Sequence, residues 1–252
     1  MAKSVKLISP PGYGAVEPLD KQKHAGLGLK KDVGFAWSAE INAVFINAAE
    51  FFKAVLDYPI AFVREPKSGE FLPMAVLGLK AKQNLYVDGK GRWRPNTYLP
   101  AYFRRYPFCI AELPAKEGET VPQRLVCVDP SALAKNSATP LFTTAGEPTP
   151  AWETAHKLLE AMEGARQQTR VLTRRLEALG LLVPFDAVAM PKQGERSRLQ
   201  GLFRVDEEKL AEIQAKDFKM LTKKGELRAI YAHLLSLENF ARLLDYAQND
   251  GG

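Results

Sequence analysis

The 252-residue sequence contains only two cysteines and three histidines. Two cysteines are too few for the disulfide framework that holds a small secreted protein together. Cys109 and Cys127 each lie within an apolar run, and buried free cysteine packs as a small apolar residue. We therefore expect two buried thiols on neighbouring strands, with a disulfide or a reactive thiol as the alternative.

Long apolar runs are also absent. No run in the sequence approaches the roughly 18 residues that a membrane-spanning helix needs. The first ten residues lack the apolar stretch of about 7 to 15 residues found in a secretory signal. These absences predict no membrane span and a cytoplasmic location.

Motifs that carry well-understood chemistry are missing as well. His24, His156 and His233 lie far apart, without a local ligand pair, so neither a metal nor another cofactor is predicted. Residues 88–94 lack the Gly-Lys-Ser/Thr ending of a phosphate-binding loop. Ser236 follows His233 by three residues, but a catalytic pair needs a third, orienting group that the sequence does not show. The sequence therefore identifies no catalytic residue.

The composition is that of an ordinary globular protein. Apolar residues make up 46% and charged residues 25% of the chain, and the net charge is +6. A basic chain attracts anionic partners, but a dedicated nucleic-acid-binding protein concentrates its cations on one face. Here positive and negative residues are interspersed along much of the chain, so binding of nucleic acid is not predicted.

The apolar pattern predicts an α+β fold, with a mainly antiparallel sheet, a long central helix and a helical C-terminal region. Residues 1–30 are predicted to form an irregular N-terminal arm, residues 31–246 a single α+β domain, and residues 247–252 a frayed tail. Helical spacing predicts a first helix over residues 40–56, and a short helix over residues 98–105. Thr149 and Pro150 are predicted to begin a long helix that ends near Gly180.

The remaining segments alternate between strands and helices. Strands are predicted at residues 60–64, 71–79, 85–87, 108–113, 124–129, 183–190 and 199–205. A turn at residues 67–69 joins the first two, and a polar turn at residues 192–196 joins the last two. Residues 134–150 are predicted to be a linker, Asp206 to cap a helix, and one final helix to carry the apolar residues between positions 227 and 244.

Aromatic, proline and arginine residues are concentrated between positions 58 and 113. The motifs are Tyr58-Pro59-Ile60, Leu77-Gly78, Asn84-Leu85-Tyr86-Val87-Asp88, Gly91-Arg92-Trp93, Tyr98-Leu99-Pro100, Arg104-Arg105-Tyr106-Pro107-Phe108, Gly201-Leu202-Phe203-Arg204-Val205-Asp206-Glu207 and Tyr231-Ala232-His233-Leu234-Leu235-Ser236-Leu237. In these motifs the chain resembles the SapC family of bacterial proteins, named for a component linked to surface layers. A membrane-spanning peptide-transport permease shares the name, and the lack of apolar runs argues against that identity.

The resemblance implies an association with the bacterial envelope or surface layer, and it brings no catalytic residue. It also makes a location at the cell surface an alternative to the cytoplasm. The function expected is that of a non-enzymatic binding or accessory protein with a protein or envelope component as partner. The alternative is an enzyme acting on peptides or an envelope glycan, with a site assembled from residues distant in sequence.

The candidate binding residues combine aromatic rings with guanidinium groups. They are Arg92, Trp93, Tyr98, Arg104 and Arg105. Such groups stack on rings and bind carboxylates or phosphates. For Arg92 and Trp93 the alternative is a turn with a solvated cation and an anchoring indole. Arg104 and Arg105 would point about 100° apart on a helix, so both cannot easily serve one site; one of them forming a structural ion pair is the alternative.

Overall fold

The computed structural model describes residues 7–113, 123–189 and 197–249. Its strands are β1 (Glu17–Pro18), β2 (Leu27–Leu29), β3 (Ala43–Phe45), β4 (Ile60–Arg64), β5 (Phe71–Val76), β6 (Phe108–Leu113), β7 (Gln123–Val128), β8 (Leu133–Lys135), β9 (Leu182–Ala189) and β10 (Ser197–Val205). Its α-helices are α1 (Phe51–Ala54), α2 (Ala101–Arg104), α3 (Pro150–Ala178), α4 (Glu207–Glu212), α5 (Ala215–Lys223), α6 (Glu226–Ser236) and α7 (Asn239–Asn249). The predicted α+β class is confirmed.

The strands form three antiparallel sheets. The largest has the order β3-β5-β4-β10-β9, a second has the order β1-β7-β6, and β2 pairs with β8. The hairpin of β4 and β5 matches the prediction: Ile60 lies opposite Ala75, and Gly69 in the connecting turn has a φ of 74°. A positive φ costs glycine little, because it has no Cβ.

The long helix α3 begins and ends as its sequence predicts. The Thr149 hydroxyl accepts a hydrogen bond from the backbone N–H of Trp152, and Pro150 is the first helical residue, where its missing N–H costs nothing. Gly180, with a φ of 66°, follows the last turn. The buried side of α3 includes Leu159, Leu172 and Leu176. The helix contacts β5 and β6, so it lies against two different sheets.

The prediction of a helix over residues 40–56 is wrong. Ala43–Phe45 forms β3 beside β5, Ala48–Glu50 forms a 3₁₀ turn, and only Phe51–Ala54 is α-helical. The apolar positions in this segment fit the helical period. Burial nevertheless alternates as in a strand, because Val44 of β3 and Ile46 directly after it are both buried.

Several other predictions need correction. The single final helix is two helices, α6 and α7. Residues 85–87 form no strand beyond an isolated bridge between Val87 and Trp93.

The segments predicted to be irregular contain some regular structure. Within the predicted N-terminal arm, β1 pairs with β7 and β2 with β8, and the predicted linker contains part of β8. Residues 247–249 of the predicted tail belong to α7, and the polar turn at residues 192–196 lies outside the described residues.

The cysteine prediction is confirmed. Cys109 on β6 lies directly opposite Cys127 on β7, and both are buried and free. Burial raises the pKa of Cys109 to about 11 and also raises the pKa of Cys127. Both residues belong to the main apolar core, whereas Phe108 and Val128 on the same strands belong to a smaller cluster that packs against Trp152 of α3.

Candidate functional site

The segment from Tyr98 to Arg105 is fixed to the core through its backbone. The backbone N–H of Tyr98 donates a 2.7 Å hydrogen bond to Oδ2 of Asp57, and the hydroxyl of Tyr58 donates to the carbonyl of Tyr98. Pro100 precedes α2, and its carbonyl accepts from the N–H of Phe103 at 2.9 Å. The short helix predicted here exists, confined to Ala101–Arg104.

The carboxylate of Glu50 organises one side of this segment. Its Oε1 accepts hydrogen bonds from the Tyr98 hydroxyl at 2.8 Å and from the N–H of Ala101 at 2.7 Å. Its Oε2 accepts from the N–H of Asn47 at 3.2 Å. Burial, reinforced by the negative charge of Glu50, raises the pKa of Tyr98 to about 12. Tyr98 is therefore a neutral hydrogen-bond donor.

Arg104 covers this cluster from the solvent side. Its Nε donates to the carbonyl of Leu99 at 3.1 Å, and its Nη2 donates to the Tyr98 hydroxyl at 3.2 Å. The same Nη2 lies 3.9 Å from Oε1 of Glu50, and 42% of the Arg104 side chain is exposed. The guanidinium carbon lies 5.8 Å from the centre of the Tyr98 ring. The structure thus places an exposed cation over a tyrosine ring.

Arg105 lies against other rings. Its guanidinium carbon is 4.7 Å from the ring centre of Tyr102 and 5.9 Å from that of Tyr13. Burial raises the pKa of both tyrosines, although the charge of Arg105 opposes the rise. Within the described residues Arg105 forms no ion pair, and its Nε is shielded from solvent without a hydrogen-bond partner. The two neighbouring arginines thus contact different tyrosines, in keeping with the predicted divergence.

Arg92 and Trp93 have surroundings of their own. The Nη2 of Arg92 lies 2.7 Å from Oδ2 of Asp88, in an exposed turn. The Trp93 ring packs against Phe103 and Phe35, with centroid separations of 4.6 and 5.4 Å. In the alternative interpretation the turn holds a solvated cation and an anchoring indole. The indole is packed as that interpretation expects, whereas Arg92 is paired with Asp88. Arg92 and Trp93 therefore contribute to the structure of the turn, while Tyr98 and Arg104 share one surface.

A cleft of about 520 Å³ lies beside Arg105. It is bordered by β6 and α3, whose contributions include Ile110, Glu112, Leu159 and Met162. Sequence analysis missed this cleft because its walls come from segments far apart along the chain. The only local signal is the pair of arginines itself.

A network of four charges spans the gap between the second sheet and α3. Arg124 lies 3.3 Å from Glu112 and 2.7 Å from Glu163, and Arg166 lies 2.8 Å from Glu112 and 3.1 Å from Glu163. Although burial opposes the effect, hydrogen bonds from Arg166 keep the pKa of Glu163 below its ordinary value. These four side chains satisfy one another.

His233 and Ser236 of α6 form hydrogen bonds within the fold. His233 is buried: its Nδ1 donates to the carbonyl of Ile60 at 2.7 Å, and its Nε2 accepts from the N–H of Val205 at 3.0 Å. The Ser236 hydroxyl donates to the carbonyl of His233 and accepts from the N–H of Ile60 at 2.9 Å. His156 lies on the surface of α3, 3.8 Å from Glu160.

Within residues 7–113, 123–189 and 197–249, no three side chains of His, Cys, Asp or Glu are grouped so that they could hold a metal ion. Among the helices in these ranges, none combines the length and the apolar character needed to cross a membrane.

The fold and this segment define an α+β protein with arginines displayed on a tyrosine-rich scaffold. Residues 19–243 match the model of the SapC family, so the chain belongs to that family and the resemblance is confirmed. No curated protein and no solved structure matches the chain.

Proposed function

We propose that this SapC-family chain is a non-enzymatic binding or accessory protein of the bacterial envelope or surface-layer system. The observation that carries the proposal is the display of two adjacent arginines on tyrosine rings. Arg104 is exposed over Tyr98, and Arg105 has no acidic partner among the described residues. Guanidinium groups held in this way are preorganised to bind a carboxylate or another planar anion.

The chemistry available to the buried histidine supports binding rather than catalysis. Burial lowers the pKa of His233 to about 4, and both ring nitrogens are already hydrogen-bonded to the backbone. A general base needs a pKa near the working pH and access to the substrate. An enzyme acting on peptides or an envelope glycan, the alternative class, would have to use other groups.

The surface charges favour a protein or envelope partner over nucleic acid. Arg170 and Arg174 both pair with Glu70, at 2.6 Å in each case. Binding of nucleic acid depends on cations that are free to neutralise phosphates. Here the four arginines of α3 that are paired with acids of the same chain are Arg166, Arg170, Arg174 and Arg175.

Affinity capture from the native cells after mild cross-linking tests the proposal. The tagged wild-type protein should retain a stoichiometric envelope partner, and at least one of the variants Arg104→Ala and Arg105→Ala should lose it. Arg228→Ala is the matched control, because Arg228 is an exposed arginine on α6 that also lies over a ring, 4.5 Å from the centre of Phe52. Unchanged retention by both the Arg104 and the Arg105 variants would contradict the proposal.

A further inference from the structure

Strand β6 is the edge of its sheet, and part of its hydrogen-bonding capacity faces outward. Among the described strands, the sheet order β1-β7-β6 leaves one side of β6 without a neighbour. At the start of β6 the outward groups of Phe108 are used: its N–H donates to the carbonyl of Arg105 at 2.8 Å, and its carbonyl accepts from the Tyr13 hydroxyl at 3.1 Å. Because backbone groups alternate in direction, those of Ile110 and Glu112 face the same side.

The neighbouring strand gives independent support for this direction. Val126 lies opposite Ile110, and its carbonyl accepts a 2.9 Å hydrogen bond from Leu19, on the side away from β6. A residue pair whose partners bond outward is a non-hydrogen-bonded pair of an antiparallel ladder. The outward groups of Ile110 and Glu112 make no hydrogen bond within the three described ranges. Among the described residues, this edge is therefore open to another strand.

The cleft beside β6 provides room for side chains of such a strand. Its volume is about 520 Å³, and its apolar lining includes Ile8, Phe45, Leu159 and Met162. Recognition by strand addition combines backbone hydrogen bonds for affinity with pockets for alternate side chains. Here the edge of β6 offers the backbone groups, and the apolar lining of the cleft offers space for the side chains.

The end of the cleft near Phe108 is closed and cationic. A strand added along Ile110 and Glu112 cannot continue past Phe108, because Tyr13 and the backbone of Arg105 already bond there. The side chain of Arg105 lines the same cleft. A chain that ended here would bring its terminal carboxylate to the guanidinium group.

Arg105 is the charged group of the cleft that can receive a carboxylate. Arg166 is paired with Glu112 and Glu163, and Glu65 accepts a hydrogen bond from Ser68. Of the cations lining the cleft, Arg105 alone has no acid partner within the described part of the chain. Arg105 has tyrosines rather than an acid beside it, so a bound carboxylate would supply its counter-charge.

We propose that β6 binds the C-terminal segment of a partner protein as an added antiparallel strand, with the terminal carboxylate at Arg105. The partner strand runs from the Leu113 end of β6 to the Phe108 end, and its alternate side chains enter the cleft. This inference rests on the proposed binding function and assigns it a site and a class of ligand.

Selection from a pool of random heptapeptides with free C termini tests the proposal, with binding of the enriched peptides measured by fluorescence anisotropy. We expect amidation of the peptide C terminus to weaken binding about tenfold or more, and Arg105→Gln to do the same. Arg228→Gln, on the exposed arginine of α6 that lies over Phe52 and away from the cleft, should change binding less than about twofold. Circular dichroism confirms that each variant is folded.

Methylation of single amide nitrogens in the peptide tests the strand geometry without altering the protein. Only every second amide of an added strand faces β6, so binding should fall at alternate positions. Failure to enrich any peptide, equal binding of the amidated peptide, or uniform effects of methylation would each overturn the proposal. If cells yield a partner that depends on Arg104 and not on Arg105, the proposed binding function stands and this site is wrong.

Discussion

His233 on α6 donates a hydrogen bond of 2.7 Å from Nδ1 to the carbonyl of Ile60 on β4. Its Nε2 accepts from the N–H of Val205 on β10 at 3.0 Å, so the ring joins one helix to two neighbouring strands. The second bond requires an unprotonated Nε2, and burial accordingly lowers the pKa of His233 to about 4. The neutral ring is part of the folded structure.

This relationship predicts a loss of stability in mild acid. Because the folded-state pKa of His233 lies below the unfolded value of 6.5, the unfolded chain binds more protons between these two values. The contribution is fully present above pH 6.5 and is lost as the pH falls toward 4. Between pH 7.5 and 4.5 the free energy of unfolding should fall by about 2 to 3 kcal/mol from this group.

Urea unfolding of the wild type and of His233→Gln at both pH values isolates this contribution. Glutamine retains one donor and one acceptor but does not titrate. Protonation of buried and paired carboxylates also lowers the free energy of unfolding in acid, and it does so equally in both proteins. We therefore expect a shallower pH dependence for His233→Gln, and parallel profiles would show that His233 does not titrate as described.

The paired cysteines should be unreactive in the folded protein. Cys109 and Cys127 face each other on β6 and β7, and burial raises the pKa of both thiols. Since the thiolate is the reactive form, iodoacetamide at pH 8 should label neither residue in the native state and both in urea. Mass spectrometry of the intact protein reads the result. Rapid native labelling of either residue, or a mass gain of two hydrogen atoms on reduction, would contradict the prediction.

Glu50 should stabilise the fold through the hydrogen bonds that its carboxylate accepts. Its carboxylate accepts hydrogen bonds from the Tyr98 hydroxyl and the N–H groups of Ala101 and Asn47. In Glu50→Gln, one of the two acceptor oxygens becomes a donor that faces other donors. We expect the free energy of unfolding to fall by about 2 to 4 kcal/mol, measured by urea denaturation.

The matched control is Glu160→Gln on α3. Glu160 has a 66% exposed side chain and lies 3.8 Å from His156. An exposed pair of this kind contributes little, so the change in stability should stay within about 0.5 kcal/mol. Equal effects of the two substitutions would mean that the Glu50 cluster does not stabilise the fold.

The sequence predicts elements well where local signals agree. Thr149, Pro150 and Gly180 mark both ends of α3 with cap chemistry, and the helix lies where they indicate. Residues 40–56 show the opposite case, because their apolar spacing fits a helix while Asn47 and Glu50 form a start signal within it. Pairing of β3 with β5 is a long-range interaction, and it overrides the local period.

In the candidate site, too, local features could be predicted from the sequence and long-range contacts could not. Helix geometry correctly separates the directions of Arg104 and Arg105, because a turn of helix is a local property. The acid that holds Arg104 and Tyr98 is Glu50, 48 residues before Tyr98 along the chain. The cleft beside Arg105 combines β6 with α3. Contacts between such distant segments depend on the tertiary fold, so no local residue spacing in the sequence predicts them.

Two glycine-to-alanine substitutions should change stability in opposite directions. Gly78 has no positive φ, but an added Cβ would lie 2.0 Å from the backbone carbonyl oxygen of Gln83, which cannot move without shifting the turn. Gly164 lies within α3, and a Cβ there would meet nothing within 4 Å. Both substitutions reduce the conformational freedom of the unfolded chain equally. The difference between their effects on the free energy of unfolding therefore comes from the folded state.

We expect Gly78→Ala to lower the free energy of unfolding by about 3 kcal/mol or more, and Gly164→Ala to raise it by about 0.5 to 1 kcal/mol. Urea denaturation of the two variants beside the wild type measures both effects. A neutral Gly78→Ala would mean that the turn at Gln83 adapts at little cost, and the close approach of the two backbones would then not be required for the fold. A destabilising Gly164→Ala would mean that the exposed face of α3 at this position is covered, since helix propensity alone favours alanine there.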